Sequence, residues 1–331
     1  MVNVLKNCFS RKNIYKYYDV FCHFVRDKML KLKNLVETNY QLGLHHLRLH
    51  NVFDAELRFR IVLYLKPDHI GALYNLAKCY FIKDKNEKAR TYLNKALKLN
   101  PNHPEAKYLL GVIVDKKSVK LIPLSIIEDY FNDYAHKYDI DFNIAQGCKV
   151  SADLVDLLKN YLTKEQCYSV LDFGCGTGQC GSQFVKVFPT LELYGLDISR
   201  NMLQEAAKHV VNDVSIYKLL IHQDYNEFLL KTKSTYDVIL AGLSLHYQMS
   251  FSAILQHMAA IVSTHGHIAF VVEKSDEDTL EASLNGNFEN FYYNEDYVKH
   301  EIKKAGLKLL KIEQSAIKND RVGLVCICTK Q

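Results

Sequence analysis

The sequence predicts an α/β protein in which an all-helical domain precedes a domain built on a mostly parallel sheet. Two observations carry this prediction. Residues 36–114 repeat with a period of 34 residues, and from residue 121 onward strand-like apolar segments alternate with helix-like ones. Stacked helical pairs produce such a period, and βαβ units produce such an alternation. We therefore expect three parts, at residues 1–35, 36–116 and 121–331.

The size and composition of the chain fit two packed domains, since 48% of its 331 residues are hydrophobic. No apolar run approaches the roughly 18 residues that a membrane-spanning helix needs, and no N-terminal run suits a signal peptide. We expect a cytoplasmic protein without a transmembrane segment. Its nine cysteines lack the paired spacing of a zinc site, so we predict reduced thiols, no metal site, and Cys326 and Cys328 packed in the core.

The formal net charge of +5 is concentrated near the N-terminus, where residues 1–33 carry eight lysines and arginines against two aspartates. Apolar residues recur there near helical spacing: Ile14, Tyr17, Tyr18, Phe21, Phe24, Val25 and Leu32. The pattern predicts a basic amphipathic helix. Two interpretations stay open. The basic face contacts an acidic partner, such as RNA, an anionic membrane surface or an acidic protein, or it is the solvated side of a helix that packs on the next domain.

The 34-residue period is carried by small and apolar residues at matching positions. The matching sets are Leu42, Leu76 and Leu110; Gly43, Ala77 and Gly111; Ala55 and Ala89; Phe59 and Leu93; and Pro67 and Pro101. This spacing resembles the tetratricopeptide repeat (TPR), with two full repeats at 36–69 and 70–103 and the first helix of a third. The resemblance implies a concave surface that binds a protein or peptide partner. The alternative is a short helical platform with a structural role.

The second domain begins at residues 121–142, where Pro123 interrupts the helical pattern. Five strand-like segments follow, mostly separated by helix-like ones: 168–174, 191–197, 214–224, 236–243 and 267–273. Two further strand-like segments, 307–314 and 321–330, have no helix between them. We therefore predict a seven-stranded, mostly parallel sheet with right-handed crossovers and an antiparallel hairpin at its edge.

A glycine-rich turn, with Gly174, Gly176 and Gly178, follows the first of these strands and precedes a helix. Glycines allow the backbone to approach a ligand closely, and the N–H groups that open a helix can bind a carboxylate or phosphate. Gly176, Gly178 and Gly181 also have the GxGxxG spacing of dinucleotide-binding proteins. The turn alone therefore leaves a nicotinamide or flavin site open.

Three aspartates at the ends of successive strands favour a methyl donor instead. Asp172 lies where the cationic part of S-adenosylmethionine (SAM) would sit, and it would repel a pyrophosphate. Asp197 is placed to accept hydrogen bonds from both ribose hydroxyls, and Asp224 from the adenine amino group. Taken singly, each aspartate could equally cap a loop or a helix. Since the carboxyl ends of parallel strands form the ligand-binding edge of an open α/β sheet, we expect all three to join the glycine turn in one site.

Residues 121–330 resemble a class I SAM-dependent methyltransferase with a Rossmann-like fold. The motifs YFNDYAHKYD, LDFGCGTGQCG and GLDISRNMLQEA are similar to those of predicted bacterial methyltransferases that carry TPRs ahead of the catalytic domain. The resemblance implies SAM as the cofactor, with these contacts: Gly174, Cys175 and Gly176 at its methionine part, Ile198, Met202 and Tyr225 at its adenine, and Tyr134 and Tyr138 as a cover. Tyr134 and Tyr138 could equally be packing residues of an amphipathic helix.

The candidate catalytic residues are His246 and Tyr247, which directly follow the fourth strand. Methyl transfer is an in-line displacement at a methyl group that a sulfonium already activates, so much of the catalysis is positioning. A general base is optional. His246 has a suitable pKa range for removing a proton from an oxygen or nitrogen acceptor, and Tyr247 could orient the substrate. The alternative for His246 is a structural histidine.

Four hypotheses about function follow from these observations. The first is a methyltransferase whose repeats recruit a protein or carrier-bound substrate. The second is a methyltransferase of a small molecule, with structural repeats. The third is a TPR adaptor with a non-catalytic SAM-binding domain, which the retention of Asp172, Asp197 and Asp224 disfavours. The fourth is a nicotinamide oxidoreductase, which the same aspartates disfavour.

Overall fold

The structure is a computed structural model that describes residues 11–144, 148–188, 191–275, 282–284, 290–318 and 321–330. The chain divides into two compact units, Met1–Ile113 and Val114–Gln331. None of the described helices is both long enough and apolar enough to cross a membrane.

From residue 11 onward, the regular secondary structure of the first unit is all helical. Its helices are Arg11–Arg48 (α1), Val52–Leu65 (α2), Ile70–Ile82 (α3), Asn86–Leu99 (α4) and Pro104–Val114 (α5), the last of which ends at the unit boundary. Helix α1 runs through the domain boundary predicted at residues 35 and 36. Lys6 lies outside the described residues, as do most side chains of the predicted amphipathic segment, so the basic face stays a prediction.

The repeat positions form the core of this unit. Ala55 and Ala89 are fully buried, as are Phe59 and Leu93. A side chain at Gly43 would place its Cβ 2.6 Å from the ring of Phe59, so α1 and α2 approach closely because this position has no side chain. Helices α2 and α4 each end two residues before the proline of their repeat. The 34-residue period therefore reflects helix packing, because matching positions of the repeats are buried between the helices.

The second unit contains a seven-stranded sheet and two short two-stranded ladders. Its strands are Tyr168–Phe173 (β1), Leu191–Asp197 (β2), Val210–Val211 (β3), Val214–Ser215 (β4), Tyr217–His222 (β5), Tyr236–Gly242 (β6), Val262–Glu273 (β7), Ser283–Leu284 (β8), Phe291–Tyr292 (β9), Leu307–Lys318 (β10) and Arg321–Lys330 (β11). The strand order of the large sheet is β10-β11-β7-β6-β1-β2-β5. Strands β10 and β11 form the antiparallel hairpin predicted at the edge, and β7 pairs antiparallel with β11.

The central strand β1 pairs in parallel with β2 on one side and β6 on the other. Asp172 of β1 lies opposite Gly195 of β2 and Leu240 of β6 in the register. The chain moves outward from β1 in one direction to β2 and β5, and in the other direction to β6 and β7. This reversal of strand order is the topological switch point, where the connections leave a crevice beyond the carboxyl ends of the strands.

Helices cover the large sheet and supply its core. They are Leu124–Tyr138 (α6), Val150–Leu158 (α7), Gln179–Val187 (α8), Arg200–Ala206 (α9), Tyr225–Lys231 (α10), Ser252–Ile261 (α11) and Glu295–Lys304 (α12). Leu154 of α7 and Phe184 of α8 are fully buried with Val170 and Val238 of the sheet. Cys326 and Cys328 of β11 are buried free thiols.

One stretch departs from the predicted strands. Residues 214–224, expected as one strand, divide into β4 and β5, and β4 pairs with β3 instead of joining the large sheet. Asn212 and Asp213 both have positive φ, 51° and 63°. Two such residues make a tight hairpin turn, and asparagine and aspartate tolerate that conformation better than most residues. A local turn therefore forms a separate β3–β4 ladder.

Candidate active site

A cavity lies at the switch point of the second unit. Ten of the residues predicted for the site line it: Tyr134, Tyr138, Gly174, Gly176, Asp197, Ile198, Met202, Tyr225, His246 and Tyr247. Asp172, Cys175 and Asp224 are not among its described lining residues. We call the lining residues at or after the ends of β1 and β2 the donor wall (Gly174, Gly176, Asp197, Ile198 and Met202). We call those at or beyond the ends of β6, β7 and β11 the acceptor wall (His246, Tyr247, Glu273, Asn290 and Arg321).

The glycine turn shapes the donor wall. Gly174, Gly176 and Gly178 all have positive φ, between 54° and 88°. The N–H groups of Gly174 and Cys175 both donate to the carbonyl of Leu196, at 2.8 and 3.0 Å. A Cβ built on Gly176 would meet nothing within 4 Å. The backbone at Gly176 therefore borders open space, which a ligand can occupy without displacing protein atoms.

Asp197, at the end of β2, is held at the cavity surface by backbone donors. Its Oδ2 accepts from the N–H of Gly176 at 2.8 Å and its Oδ1 accepts from the N–H of Ser199 at 2.7 Å. Burial raises the pKa of Asp197 to about 6, although both donors oppose the shift. An ionised carboxylate has about four acceptor sites, so Asp197 can also accept hydrogen bonds from a ligand with two hydroxyls.

Asp172, at the end of β1, lies behind the glycine turn. Its Oδ2 accepts from the hydroxyl of Tyr217 at 2.7 Å and from the N–H of Gly181 at 3.0 Å. Its Oδ1 is buried and has no hydrogen-bond partner among the described residues. Burial raises the pKa of Asp172 to about 6. A buried acceptor without a partner is costly in a folded protein, so Oδ1 is a place where a bound donor would be stabilised.

Asp224 has a different local role from its neighbours. Its carboxylate accepts from the N–H of Glu227 at 3.0 Å and so caps α10. Gln223 and Tyr225, on either side of it, line the cavity. Ser199 likewise caps α9, where its hydroxyl accepts from the N–H of Met202 at 3.2 Å.

Helix α6 supplies an aromatic cover. Tyr130, Phe131, Tyr134 and Tyr138 of α6 line the cavity, and the rings of Tyr134 and Tyr138 meet edge-on with centroids 5.9 Å apart. Burial raises the pKa of Tyr134 to about 12, and its hydroxyl donates to Asp141 at 3.1 Å. Such a layer of rings can exclude water from a ligand beneath it.

Polar contacts join this cover to the donor wall. The hydroxyl of Thr177, in the glycine turn, donates to Asp139 at 2.6 Å, directly after α6. The Oδ1 of Asn132, within α6, accepts from the hydroxyl of Ser199 at 2.8 Å. The Nδ2 of Asn201 donates to the carbonyl of Asn132 at 2.7 Å. The position of α6 therefore depends on the loops that form the donor wall.

His246 and Tyr247 begin the acceptor wall after β6, with ring centroids 4.5 Å apart. His246 is 7% exposed, and its Nδ1 is buried without a hydrogen-bond partner among the described residues. Burial, followed by the charge of Arg321, lowers the pKa of His246 to about 3. The imidazole is therefore neutral at physiological pH, and its protonated form is disfavoured. The carbonyl of Tyr247 accepts from the N–H of Ile122 at 2.9 Å, which fixes this turn against the segment before α6.

Several lining residues were not predicted from the sequence. Leu243, directly after β6, lines the cavity with φ 60°, an unfavourable conformation for a bulky side chain. Glu273 ends β7 and Arg321 begins β11, and these two side chains form an ion pair at the cavity. Asn290 also lines the cavity and donates to Glu273. No group of three or more His, Cys, Asp or Glu side chains within the described ranges is placed to hold a metal ion.

Two family models match the chain. Residues 164–319 match the model described as a methyltransferase domain, and residues 71–103 match the model of the tetratricopeptide repeat. Both resemblances seen in the sequence are therefore confirmed at the level of the domain and the repeat.

Curated relatives include the malonyl-[acyl-carrier protein] O-methyltransferase of Halalkalibacterium halodurans. It is 34% identical over 120 residues, which cover 35% of this chain and 43% of the relative. An enzyme of the same name from Ilyobacter polytropus is 28% identical over 160 residues, which cover 48% of this chain and 53% of the relative. The chain thus spans about half the length of these curated relatives.

Solved structures with a similar fold include a 1,6-didemethyltoxoflavin-N1-methyltransferase from Burkholderia thailandensis with bound 1,6-didemethyltoxoflavin and S-adenosylhomocysteine. Its TM-score is 0.49 at 15% identity, with coverage of 65% of this chain and 92% of that one. A magnesium protoporphyrin IX methyltransferase from Synechocystis with bound SAM has a TM-score of 0.44 at 16% identity, with coverage of 62% and 96%.

Proposed function

Since residues 164–319 form a methyltransferase domain, we propose that this chain transfers the methyl group of SAM to an oxygen, nitrogen or carbon acceptor. The observation that supports this most is the cavity at the switch point, which both Gly176 and Asp197 line together with His246 and Tyr247. A donor site and an acceptor site thus share one enclosure.

The donor wall fits SAM on three observations. Asp197 presents a carboxylate at the cavity for the ribose hydroxyls, and Gly176 borders open space beside the backbone for the methionine part. The Oδ1 of Asp172 has no hydrogen-bond partner in the part of the chain that the structure describes, so it suits the cationic part of the cofactor, directly or through a water. Ile198 and Met202 supply apolar contact for the adenine.

The structure supports the other predicted cofactor contacts to different degrees. Tyr225, Tyr134 and Tyr138 line the cavity and stay in the proposed contact set. The side chain of Cys175 packs in the core, so its backbone is what would contact the ligand. Asp224 caps α10, which supports the interpretation as a helix cap more than an adenine contact.

Bound SAM supplies a methyl group that its sulfonium has already activated. The protein's part is then to hold the acceptor in line with that methyl group, about 3 Å away, and to keep water out. The rings of α6 cover the site. Tyr247 orients the acceptor, and the neutral imidazole of His246 accepts a hydrogen bond or packs against it. A role of His246 as general base is weakened, because its protonated form is disfavoured.

We infer that the repeats recruit a protein or carrier-bound acceptor. The match to a tetratricopeptide repeat supports an interaction with a protein, and relatives named malonyl-[acyl-carrier protein] O-methyltransferases support a carrier-bound acyl group. The alternative is a small-molecule acceptor with structural repeats. The acidic partner of the basic N-terminal segment and the cytoplasmic location stay predictions.

Two measurements on the full chain test this function. Calorimetry should give micromolar binding of S-adenosylhomocysteine and no binding of NAD(P); the reverse result would make the site a nicotinamide site. Incubation with methyl-labelled SAM and cell extract should place label in the protein fraction if a carrier is the acceptor, and in the small-molecule fraction otherwise. Tight cofactor binding with no label in any fraction would support a non-catalytic adaptor.

A further inference from the structure

The acceptor wall contains a fixed cation. Arg321 begins β11 and Glu273 ends the neighbouring strand β7. The Nε and Nη2 atoms of Arg321 donate to the two carboxylate oxygens of Glu273, which is the two-point geometry that fixes a guanidinium most firmly. The Nδ2 of Asn290 donates to the same carboxylate. The ring of Tyr292 lies 6.0 Å from the guanidinium carbon. Arg321 is therefore oriented by the residues around it.

Of the two side chains in this ion pair, the positively charged Arg321 is the more accessible. The side chain of Glu273 is 1% exposed, whereas that of Arg321 is 34% exposed, and both residues line the cavity. The charge of Arg321 also reaches His246, where it adds to burial in lowering the pKa. A guanidinium carries five N–H donors in a planar fork, so pairing with one carboxylate is compatible with contact to a second anion.

Much of the rest of the cavity that Arg321 lines is apolar. Ile122, Leu124, Ile126 and Ile127, before and within α6, line the same cavity, as does Phe131. An apolar ligand body that covers such a lining displaces water and so strengthens the attraction between the cation and the anionic head. The cavity therefore suits a ligand with an anionic head and an apolar body.

The chemistry of methyl transfer agrees with such a ligand. An alcohol or amine acceptor must lose a proton, and His246 is a poor proton acceptor. An ionised carboxylate needs no base. Its oxygen attacks the methyl carbon, the O–C bond forms as the C–S bond breaks, and the electron pair of that bond stays on sulfur. The product is a neutral methyl ester, which Arg321 no longer attracts.

We propose that Arg321, oriented by Glu273 and Asn290, binds the carboxylate of an apolar acyl acceptor, so that the enzyme is a carboxyl O-methyltransferase. This inference rests on the proposed methyl transfer and adds the acceptor class and the residue that selects it. Arg321 is a binding residue in direct contact with the acceptor, and Glu273 and Asn290 are positioning residues.

The first test measures binding to the full chain saturated with S-adenosylhomocysteine at about pH 7.5, where carboxylic acids are ionised. The probes are hexanoate and hexanamide, which have nearly the same shape and differ in charge. Calorimetry should show hexanoate binding about tenfold more tightly than hexanamide, and Arg321→Gln should remove that preference. Equal affinity of the two probes in the wild type, including no measurable binding of either, would overturn the inference, as would a preference that survives in Arg321→Gln.

Matched variants separate binding from folding. Arg90→Gln removes an exposed arginine of the other unit and should change neither the affinity for hexanoate nor that for hexanamide. Arg321→Lys should retain part of the preference for hexanoate. Glu273→Gln keeps a side-chain oxygen that can orient Arg321 but removes the charge that neutralises it, so hexanoate should bind about threefold more tightly, the opposite sign to Arg321→Gln. Weaker hexanoate binding in Glu273→Gln would assign the pair a structural role only.

The second test uses the product. Methyl esters release volatile methanol in alkali, whereas N-methyl, C-methyl and ether products do not. Label transferred from methyl-labelled SAM by the full chain should become volatile after alkali treatment. Alkali-stable label would overturn the carboxylate inference and leave methyl transfer in place. Failure to bind S-adenosylhomocysteine would instead contradict the proposed function itself.

Discussion

The hydroxyl of Tyr217 in β5 donates a 2.7 Å hydrogen bond to the carboxylate of Asp172 in β1, across the intervening strand β2. Burial, followed by the charge of Asp172, raises the pKa of Tyr217 well above its ordinary value, so the hydroxyl stays a donor. This bond and the N–H of Gly181 both engage Oδ2, and the buried Oδ1 has no hydrogen-bond partner among the described residues. The orientation of a proposed cofactor ligand thus depends on a tyrosine 45 residues away.

Removing this hydroxyl with Tyr217→Phe should raise the pKa of Asp172 above 6, because the donor that stabilises the ionised form is lost. The pH midpoint of S-adenosylhomocysteine binding should move upward, and the free energy of unfolding should fall by about 1–3 kcal/mol. Tyr168→Phe is the control, since its hydroxyl accepts from the N–H of Thr163 at 2.8 Å and Tyr168 does not line the cavity. It should lower stability without moving the midpoint. An unchanged midpoint in Tyr217→Phe would exclude Asp172 from cofactor binding.

Cofactor affinity should depend on pH, because burial raises the pKa values of Asp172 and Asp197 to about 6. These values lie above the ordinary 3.8, so the folded protein binds more protons than the unfolded chain between about pH 4 and 6. Its free energy of unfolding should therefore fall as pH rises through that window, by on the order of 2–3 kcal/mol for each carboxyl.

If the ionised carboxylates bind the cofactor, affinity for S-adenosylhomocysteine should rise with pH and level off above about pH 6. Below that, each titrating carboxyl should cost up to about tenfold in affinity per pH unit. Calorimetry from pH 5 to 8 checks this expectation. Asp197→Asn should halve the slope of the logarithm of affinity against pH below about pH 6. Constant affinity between pH 5 and 7 would show that neither carboxyl is coupled to the cofactor.

Asp197→Asn should also weaken S-adenosylhomocysteine binding by about 10- to 100-fold above pH 7, since a charged hydrogen-bond acceptor is lost. The matched variant is Asp224→Asn. Asparagine is also a good helix cap, so we expect S-adenosylhomocysteine affinity within about twofold of the wild type, while Asp224→Ala should cost about 1 kcal/mol of stability. A large loss of affinity in Asp224→Asn would instead establish the adenine contact predicted from the sequence.

Much of the fold could be predicted because its signals are local. The segment predicted at 236–243 is β6, and the TPR period places Ala55, Phe59 and Leu93 in the helical core. The β3–β4 ladder was missed because it depends on two consecutive positive φ values at Asn212 and Asp213.

The donor wall could be predicted because each of its residues lies at the end of a strand or shortly after it, where sequence spacing is informative. In the acceptor wall, His246 and Tyr247 could be predicted in the same way, but Glu273, Asn290 and Arg321 could not. Glu273 and Arg321 are 48 residues apart and meet because β7 and β11 are neighbours, which no periodicity in the sequence indicates. At Asp224, the sequence pattern did not identify which residue near the strand end lines the cavity. Helix α10 begins at Tyr225, so Asp224 becomes its cap and Gln223 faces the cavity instead.

Gly176→Ala should separate backbone strain from ligand binding. Gly176 and Gly306 both have positive φ, 54° and 74°, and a Cβ on either meets nothing within 4 Å. Alanine at either position should therefore cost roughly 1–2 kcal/mol of stability. Only Gly176 lines the cavity, so Gly176→Ala alone should weaken S-adenosylhomocysteine binding, by about tenfold or more. Equal affinity in the two variants would place the cofactor away from the glycine turn.

His246→Gln should leave most of the catalytic rate, because His246 has a pKa of about 3 and stays neutral throughout the working pH range. Glutamine retains a hydrogen-bonding side chain, so we expect kcat to fall by less than about tenfold, whereas loss of a general base typically costs about 10²- to 10⁴-fold. At saturating SAM, the pH profile of kcat above pH 6 should be flat in both the wild type and the variant. A profile with an ionisation near pH 6.5 that disappears in His246→Gln would show that substrate binding restores an ordinary pKa to the imidazole. That result would return His246 to the role of base, and an alcohol or amine would then be as suitable an acceptor as a carboxylate.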